Sequence, residues 1–221
     1  MKIVNAGYEI LSEISDGGIK EPQLIERIGR TCYKSEDKIT PDGESAKRFV
    51  KMLLKKQHEA MLEHSSLSVL FTVDRGVTHE MVRHRIMSFA QESTRYCNYD
   101  SGKFGGEITV IRPFFWDEQS VAYDRWRRAC LAAEDSYIKL IRSGMQPQEA
   151  RSVLPTSTKA SIVMTGNYRE WRHFLWLCAA DATGPAHPQM KEVTVPLLEE
   201  LHKRIPVVFD DIWFSVHNEE I

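Results

Sequence analysis

Between Arg83 and Tyr96 the chain reads Arg83-His84-Arg85-Ile86-Met87-Ser88-Phe89-Ala90-Gln91-Glu92-Ser93-Thr94-Arg95-Tyr96, a stretch rich in charged and polar groups and poor in core-filling ones. Three guanidiniums this close repel one another unless they share an anion, and the planar fork of arginine suits bidentate contact with a phosphate or carboxylate. A bound phosphate is therefore the first chemistry to expect here. An extended run from Ser88 to Cys97 would place Gln91, Ser93 and Arg95 on one face, offering an amide, a hydroxyl and a cation to one ligand. The preceding Gly76 to Arg85 reads as a short helix with Glu80, Arg83 and His84 sharing a face at i, i+3 and i+4. Helix and strand would then converge on a nucleotide-sized pocket.

The elements that must position this stretch follow from pattern. Ile3 to Leu11 reads as an edge strand or two short ones, and Pro22 opens a helix to about Tyr33 with Leu24, Ile25 and Ile28 as its stripe. Asp42 to Lys56 is helical, with a cap-like Asp42 and apolar Ala46, Phe49, Val50, Leu53 and Leu54. Leu67 to Val73 alternates as a strand, and Glu107 to Ile111 resumes as one. Ser120 to Ser143 is the longest helix, with Val121, Trp126, Cys130, Ala133, Tyr137, Leu140 and Ile141 on its apolar side. Pro147 to Leu154 is a short helix and Ala160 to Met164 a strand. Thr165-Gly166-Asn167 reads as a turn and cap for a helix from Tyr168 to about Ala180. Another helix runs to about Lys203, and Val207 to Phe214 is a last apolar segment that packs back.

Composition narrows the function classes. A chain of 221 residues with no composition shift reads as one domain, residues 1–221. A formal charge of −2 argues against nucleic-acid binding driven by counterion release. Cys32, Cys97, Cys130 and Cys178 lack CxxC spacing, so neither a zinc knuckle nor a secreted disulfide scaffold is expected, and a reduced, cytoplasmic setting is. His58 and His64 are six apart, whereas two zinc-binding histidines on one helical face are four apart, so no metal is expected. No apolar run reaches membrane-spanning length, and the sequence contains neither Gly-x-Gly-x-x-Gly nor Gly-x-x-x-x-Gly-Lys.

The stretch from Arg83 resembles the signature of flavin-dependent thymidylate synthases: Arg-His-Arg, two residues, Ser, four residues, Ser, one residue, Arg-Tyr. Seven fixed residues at fixed spacing match one position by chance on the order of once in a billion. The resemblance runs from Thr31 to about Met190, where Ala186-His187-Pro188-Gln189-Met190 is similar to the family's closing motif. It implies the α+β fold of that family, a central mixed or antiparallel sheet with flanking helices, assembled as a homotetramer with shared active sites. It also implies FAD as cofactor, with methylenetetrahydrofolate giving the carbon and NADPH the electrons that convert dUMP to dTMP without an enzyme cysteine as nucleophile. The protein's own task is then positioning and electrostatics.

Carried over residue by residue, the resemblance assigns Arg83, His84 and Arg85 to FAD, with Arg83 also close to dUMP. Ser35, His58, Ala60, Glu63, Asn167, Arg169 and His173 complete the flavin set. Glu80, Gln91, Ser93, Thr94, Arg95 and Arg151 are assigned with Arg83 to dUMP, and Arg83, Ser93 and Arg95 are the catalytic candidates. From the residues alone, Ser35 reads as a turn and Arg151 as a surface arginine. Four positions depart from common relatives: Ala90 stands for Asn, Gln91 for Glu, Glu80 for Gln, and Cys178 for an arginine that touches nucleotide and flavin together. Cys178 itself fits an apolar stripe with Trp171, Phe174 and Leu175, and the missing cation is to be replaced by Arg172 or Lys191, or by a shift in register, since Ala179 to Pro185 is a few residues longer than in common relatives. A repurposed FAD- and nucleotide-binding homologue, or an enzyme alkylating another pyrimidine nucleotide, is the alternative. An RNA-binding module is a third reading, disfavoured by the acidic balance.

Overall fold

A computed structural model describes residues 1–217. The chain opens with β1, Lys2–Val4, and β2, Gly7–Ile10. Helix α1, Lys20–Thr31, carries Glu21 in its first turn and buries Pro22 and Ile25, and α2 spans Glu44–Lys55. Asp42 acts there by accepting the Glu44 backbone N–H at 3.0 Å, one residue before the left-handed Gly43. A 3-10 turn, Glu59–His64, leads into β3, Ser66–Asp74, where alternate Leu67, Val69, Phe71 and Val73 are buried, as a period of two requires.

Asp74 ends the strand and caps α3, Arg75–Met81, its carboxylate accepting the Val77 N–H at 2.8 Å. This helix is shorter than the pattern predicts. It stops at Met81, so Glu80 is helical while Arg83, His84 and Arg85 lie in the turns that follow. The extended stretch is shorter too: β4 is Ser88–Gln91, and the Tyr96 and Cys97 amides donate to the Ser93 carbonyl, folding residues 93–97 into a turn. Gln91, Ser93 and Arg95 therefore do not form one straight row.

After β5, Thr109–Ile111, comes α4, Val121–Arg142, capped by the Ser120 hydroxyl. It buries Tyr123, Cys130 and Tyr137, whereas Val121, expected on the apolar side, is 69% exposed because it occupies the open first turn. Then come α5, Pro147–Ala150, with a Gln146/Glu149 capping box, a 3-10 turn Arg151–Val153, and β6, Lys159–Asn167. Thr165 and Gly166 continue this strand instead of turning, and only Asn167 acts as cap, accepting the Glu170 N–H at 2.9 Å at the start of α6, Tyr168–Cys178. Helices α7, Pro188–Arg204, and α8, Asp210–His217, complete the described chain.

Strands β2, β3, β6 and β4 form a sheet in the order β2-β3-β6-β4, and β1 pairs in parallel with β5, Lys2 opposite Thr109. Val110 bridges Thr158 antiparallel, so the fold is α+β with both pairings. Contacts group the chain into two compact units, one of residues 1–8, 70–83 and 89–163, the other of residues 9–69, 84–88 and 164–221. The core of the first unit joins Tyr99, Ile108, Val110, Cys130, Tyr137 and Ala150. In the second, α1 packs on α2, and α6 on the 59–64 turn, α7 and α8. Trp171, Phe174 and Leu175 are fully buried, and the Trp171 indole N–H donates to the Leu67 carbonyl. Gly18 holds a left-handed φ of +59° where a Cβ would stand 1.7 Å from the Arg204 carbonyl oxygen, so a side chain there would displace the end of α7.

Candidate functional site

Each unit presents a polar concavity built around residues that the signature and its partners supply. In the first unit, Arg75 and His79 stand one turn apart on α3, and the turn after α5 brings Arg151, Ser152 and Thr156 opposite them. With Thr94, Leu154 and Pro155 they line a cleft of about 270 Å³. Two guanidiniums, an imidazole and hydroxyl groups face this space and no carboxylate lines it, so its field favours an anion. The Arg151 guanidinium has no ion pair or hydrogen bond among the described residues. Arg75 is held instead: its Nη1 donates to the Glu92 carbonyl at 3.5 Å, and its backbone N–H to Thr156 and Thr158.

Beside this cleft the polar side chains of β4 and the turn after it are fixed by one another. Gln91 Nε2 donates to the Thr78 hydroxyl at 2.9 Å, which itself donates to the Arg75 carbonyl. Ser93 Oγ accepts the Arg95 N–H at 3.2 Å, and the Arg95 guanidinium donates to Gln148 and lies over the Tyr96 ring. Of the residues assigned to dUMP, Thr94 and Arg151 line the cleft and Gln91, Ser93 and Arg95 are bonded within the same unit. Glu80 and Arg83 are exposed and do not line it. Sequence reasoning missed Arg75 and His79. Their i, i+4 spacing directly after the Asp74 cap was the available signal.

In the second unit, α6 carries Arg169, Glu170, Arg172, His173 and Trp176, which with its cap Asn167 and with Glu59, Glu63 and Ile86 line a cavity of about 590 Å³. Glu63 pairs with Arg169 and holds its guanidinium pKa up. Arg172, 3% exposed, makes a two-pronged bond to Asp211 at 2.7 and 2.6 Å and lies 3.6 Å from Glu59, but its Nε has no hydrogen-bond partner among the described residues. Four flavin candidates, Glu63, Asn167, Arg169 and His173, thus meet in this cavity. His58 and Ala60 line a separate apolar one of about 380 Å³ with Phe49, Met52 and Met61, while Ser35, His84 and Arg85 line neither. Glu59, Glu170 and Trp176 were not read as site residues, and Arg172 only as a substitute for the missing cation, because charge and aromatic positions carry no sign of which face meets a cavity.

Cys178 is buried with its sulfur 3.8 Å from His84 Nε2. Neither cation that could have replaced an arginine there is available, since Arg172 is held by Asp211 and Lys191 by Asp181 at 2.6 Å. His84 packs edge-on against Phe174. Burial, and secondarily the charge of His173, lower its pKa below the ordinary 6.5. Below pH 6.5 the unfolded chain takes up a proton there that the folded chain resists, so stability falls as pH drops through that value and the loss is complete below the folded pKa. Urea unfolding at pH 7.5 and 5.5 is expected to show a smaller drop for His84→Gln than for the parent, and an identical drop would dismiss His84 as its source.

Among the described residues no group of three or more His, Cys, Asp or Glu could hold a metal ion, and no helix is long and apolar enough to cross a membrane. The model of the family described as thymidylate synthase complementing protein matches residues 18–207. The chain belongs to the thymidylate synthase complementing protein family. A relative named flavin-dependent thymidylate synthase from Corynebacterium aurimucosum is 35% identical over 209 residues, 90% of this chain and 83% of that protein. One of the same name from Mycobacterium bovis is 32% identical over 213 residues, covering 89% and 80%. Among solved structures, a UMP/dUMP methylase, PolB, from Streptomyces cacaoi, bound with 5-bromo-dUMP, superposes with a TM-score of 0.76 at 21% identity over 97% of both chains. Its complex with 5-bromo-UMP gives 0.73 at 22% identity over 97% of this chain and 96% of that one. At that identity the likeness is one of fold, and the α+β arrangement is the family's.

Proposed function

We propose that this family member is a flavin-dependent thymidylate synthase that methylates dUMP at C5 to give dTMP, with FAD as cofactor, methylenetetrahydrofolate as carbon donor and NADPH as reductant. The observation that carries the reading is the cleft where Arg75, His79 and Arg151 meet next to Thr94, between the signature residues Ser93 and Arg95, with no carboxylate lining it among the described residues, a site suited to a nucleotide's phosphate. Gln91, with its amide turned by Thr78, and Ser93 then serve the sugar or base, and Arg83, Ser93 and Arg95 act in catalysis.

The cavity on α6 suits FAD by its donor set. Asn167, Arg169 and His173 offer donors, Trp176 and Ile86 an apolar face, and the buried Arg172 Nε lacks a partner that a ligand oxygen would supply. Its volume falls within the roughly 300–1,000 Å³ of cofactor sites. Glu59 and Glu63 already engage Arg169 and Arg172, so phosphate oxygens enter by sharing or displacing those carboxylates. At the exposed Arg169 that exchange is cheap. When bound, the flavin supplies the redox chemistry; the chain's residues bind, orient and exclude water. A cysteine nucleophile is not invoked: Cys130 is buried with its thiol pKa pushed up, and Cys178 lies in the apolar stripe of α6. The reading extends to one functional domain over residues 1–221, a homotetramer with shared active sites, and a cytoplasmic setting.

A visible spectrum of the purified protein, with FAD added and then NADPH under anaerobic conditions, tests this directly. A flavin band that bleaches faster with dUMP present is expected, and, once methylenetetrahydrofolate is added as carbon donor, dTMP in the product. A protein that takes up no FAD overturns the reading, and one that takes it up but is never reduced points to the repurposed homologue.

A further inference from the structure

Glu92 occupies a position that the signature leaves open, between Gln91 and Ser93, yet it is the most heavily bonded residue of the stretch. Its carboxylate is 14% exposed. One oxygen accepts Lys159 Nζ at 2.6 Å and the other the Tyr99 hydroxyl at 3.0 Å. Its N–H donates to the Ser161 carbonyl at 2.8 Å, and its own carbonyl receives Arg75 Nη1. Lys159 is closed off by a second bond, to Ser161 Oγ at 3.1 Å. Tyr99 is buried, its ring packed on Tyr137 and Phe104, and burial beside Glu92 raises its pKa so that the phenol remains a donor.

These bonds close a circuit within the first unit. From the Glu92 carbonyl it passes to the Arg75 guanidinium, from the Arg75 carbonyl to the Thr78 hydroxyl, from there to the Gln91 amide, and through the chain back to Glu92. Arg75 and Gln91, the cation and the amide of the proposed nucleotide site, are thereby fixed relative to each other, and the circuit is anchored at Glu92 by Lys159 and Tyr99. We propose that the Glu92–Lys159 pair is a positioning device that holds Arg75 and Gln91 in place for the nucleotide, without touching it. The proposal rests on the reading of this cleft as the nucleotide's phosphate site. Two partly buried charges with all their bonds made specify one geometry, and removing one partner leaves the other charged and unpaired.

The test is calorimetric titration of the FAD-loaded protein with dUMP and, separately, with inorganic phosphate, for the parent, Lys159→Met, Lys159→Arg and Tyr99→Phe. Lys159→Met is expected to weaken dUMP by about tenfold, the cost of roughly one hydrogen bond to a charged group, and to weaken phosphate through Arg75, with flavin absorbance unchanged. Lys159→Arg should restore most of the loss, and Tyr99→Phe, which keeps the packed ring, should lose about threefold. Should Lys159→Met fail to fold, the Tyr99→Phe value decides. Unchanged affinities in folded Lys159→Met and Tyr99→Phe, with only a lower melting temperature, would reduce the pair to scaffold and overturn the proposal. A parent that binds phosphate but not dUMP breaks the nucleotide reading alone, leaving the phosphate titrations to judge the device; a parent that binds neither removes both.

Discussion

Arg151→Met is expected to weaken dUMP binding by about a hundredfold while leaving flavin uptake and melting temperature near those of the parent. The guanidinium lines the cleft with no partner of its own among the described residues, so its removal strands no buried group and costs the fold little. What it loses is contact with a phosphate. Bonds to charged groups contribute roughly 1.5–3 kcal/mol each and a guanidinium can make two in parallel, so a loss near 3 kcal/mol, about a hundredfold, is the reasonable scale. Arg151→Lys separates charge from geometry. It keeps the cation but not the fork, and an intermediate loss of about tenfold is expected. Titration with dUMP at fixed ionic strength checks both, and equal affinities for the parent and Arg151→Met would place the phosphate elsewhere.

The contrast between Arg151 and the signature arginines shows what the chain made legible. Element types could be read almost throughout, because β3 and β6 alternate and α2 and α6 carry apolar stripes that their burial matches; on α1 the expected stripe holds at Ile25, but Leu24 is 45% exposed and Glu26 is buried instead. Ends were harder. The apolar and charged pattern of Gly76 to Arg85 is continuous, but Arg83 donates its N–H to Glu80 in the turn that ends α3, and nothing in residue type marks that stop. The same holds for β4, where Ser93 turns the chain by accepting the Arg95, Tyr96 and Cys97 amides. Serine is compatible with either a strand or a turn, and the outcome was set by tertiary contacts such as Glu92 with Lys159, 67 residues away.

The signature is specific in its spacing, yet none of its seven fixed residues lines either cavity: only Thr94 and Ile86, at its open positions, do. Arg95 is tied to Gln148 and Tyr96, whereas Arg75, outside the signature, faces the cleft. Likewise the Cys178 departure was visible as a lost cation, and only the structure adds that Arg172 and Lys191 are already committed to carboxylates. A cysteine carries no positive charge in either protonation state, so the sulfur beside His84 does not stand in for an arginine.

Removing the Arg172 guanidinium has the largest expected effect on stability. At 3% exposure it is the charge that ties α6 to α8, through both Asp211 oxygens and the Val208 carbonyl, with Glu59 at 3.6 Å. Arg172→Met fills similar volume but leaves Asp211 without its cation, Glu59 with only Arg169 at 3.9 Å, and the Val208 carbonyl without its donor. Breaking one side of a buried pair costs about 3–5 kcal/mol. Asp211 and Glu59 retain 29% and 28% exposure, so water recovers part of their solvation and the lower end, about 3 kcal/mol, is the better expectation. For a chain of this length that corresponds to a melting temperature lower by roughly 6–12 °C. Two controls decide whether the unpaired charge or the lost packing dominates. Arg172→Met combined with Asp211→Leu removes both charges, and recovery of most of the loss would assign it to the stranded carboxylate; no recovery would assign it to the Val208 carbonyl and packing. Arg128→Met, which breaks the exposed i, i+4 pair with Asp124, should leave the melting temperature close to that of the parent, since solvent already screens that pair. If Arg172→Met proved as mild as Arg128→Met in thermal unfolding, the tie between α6 and α8 would be carried by the apolar contacts of Phe209 and Ile212 instead.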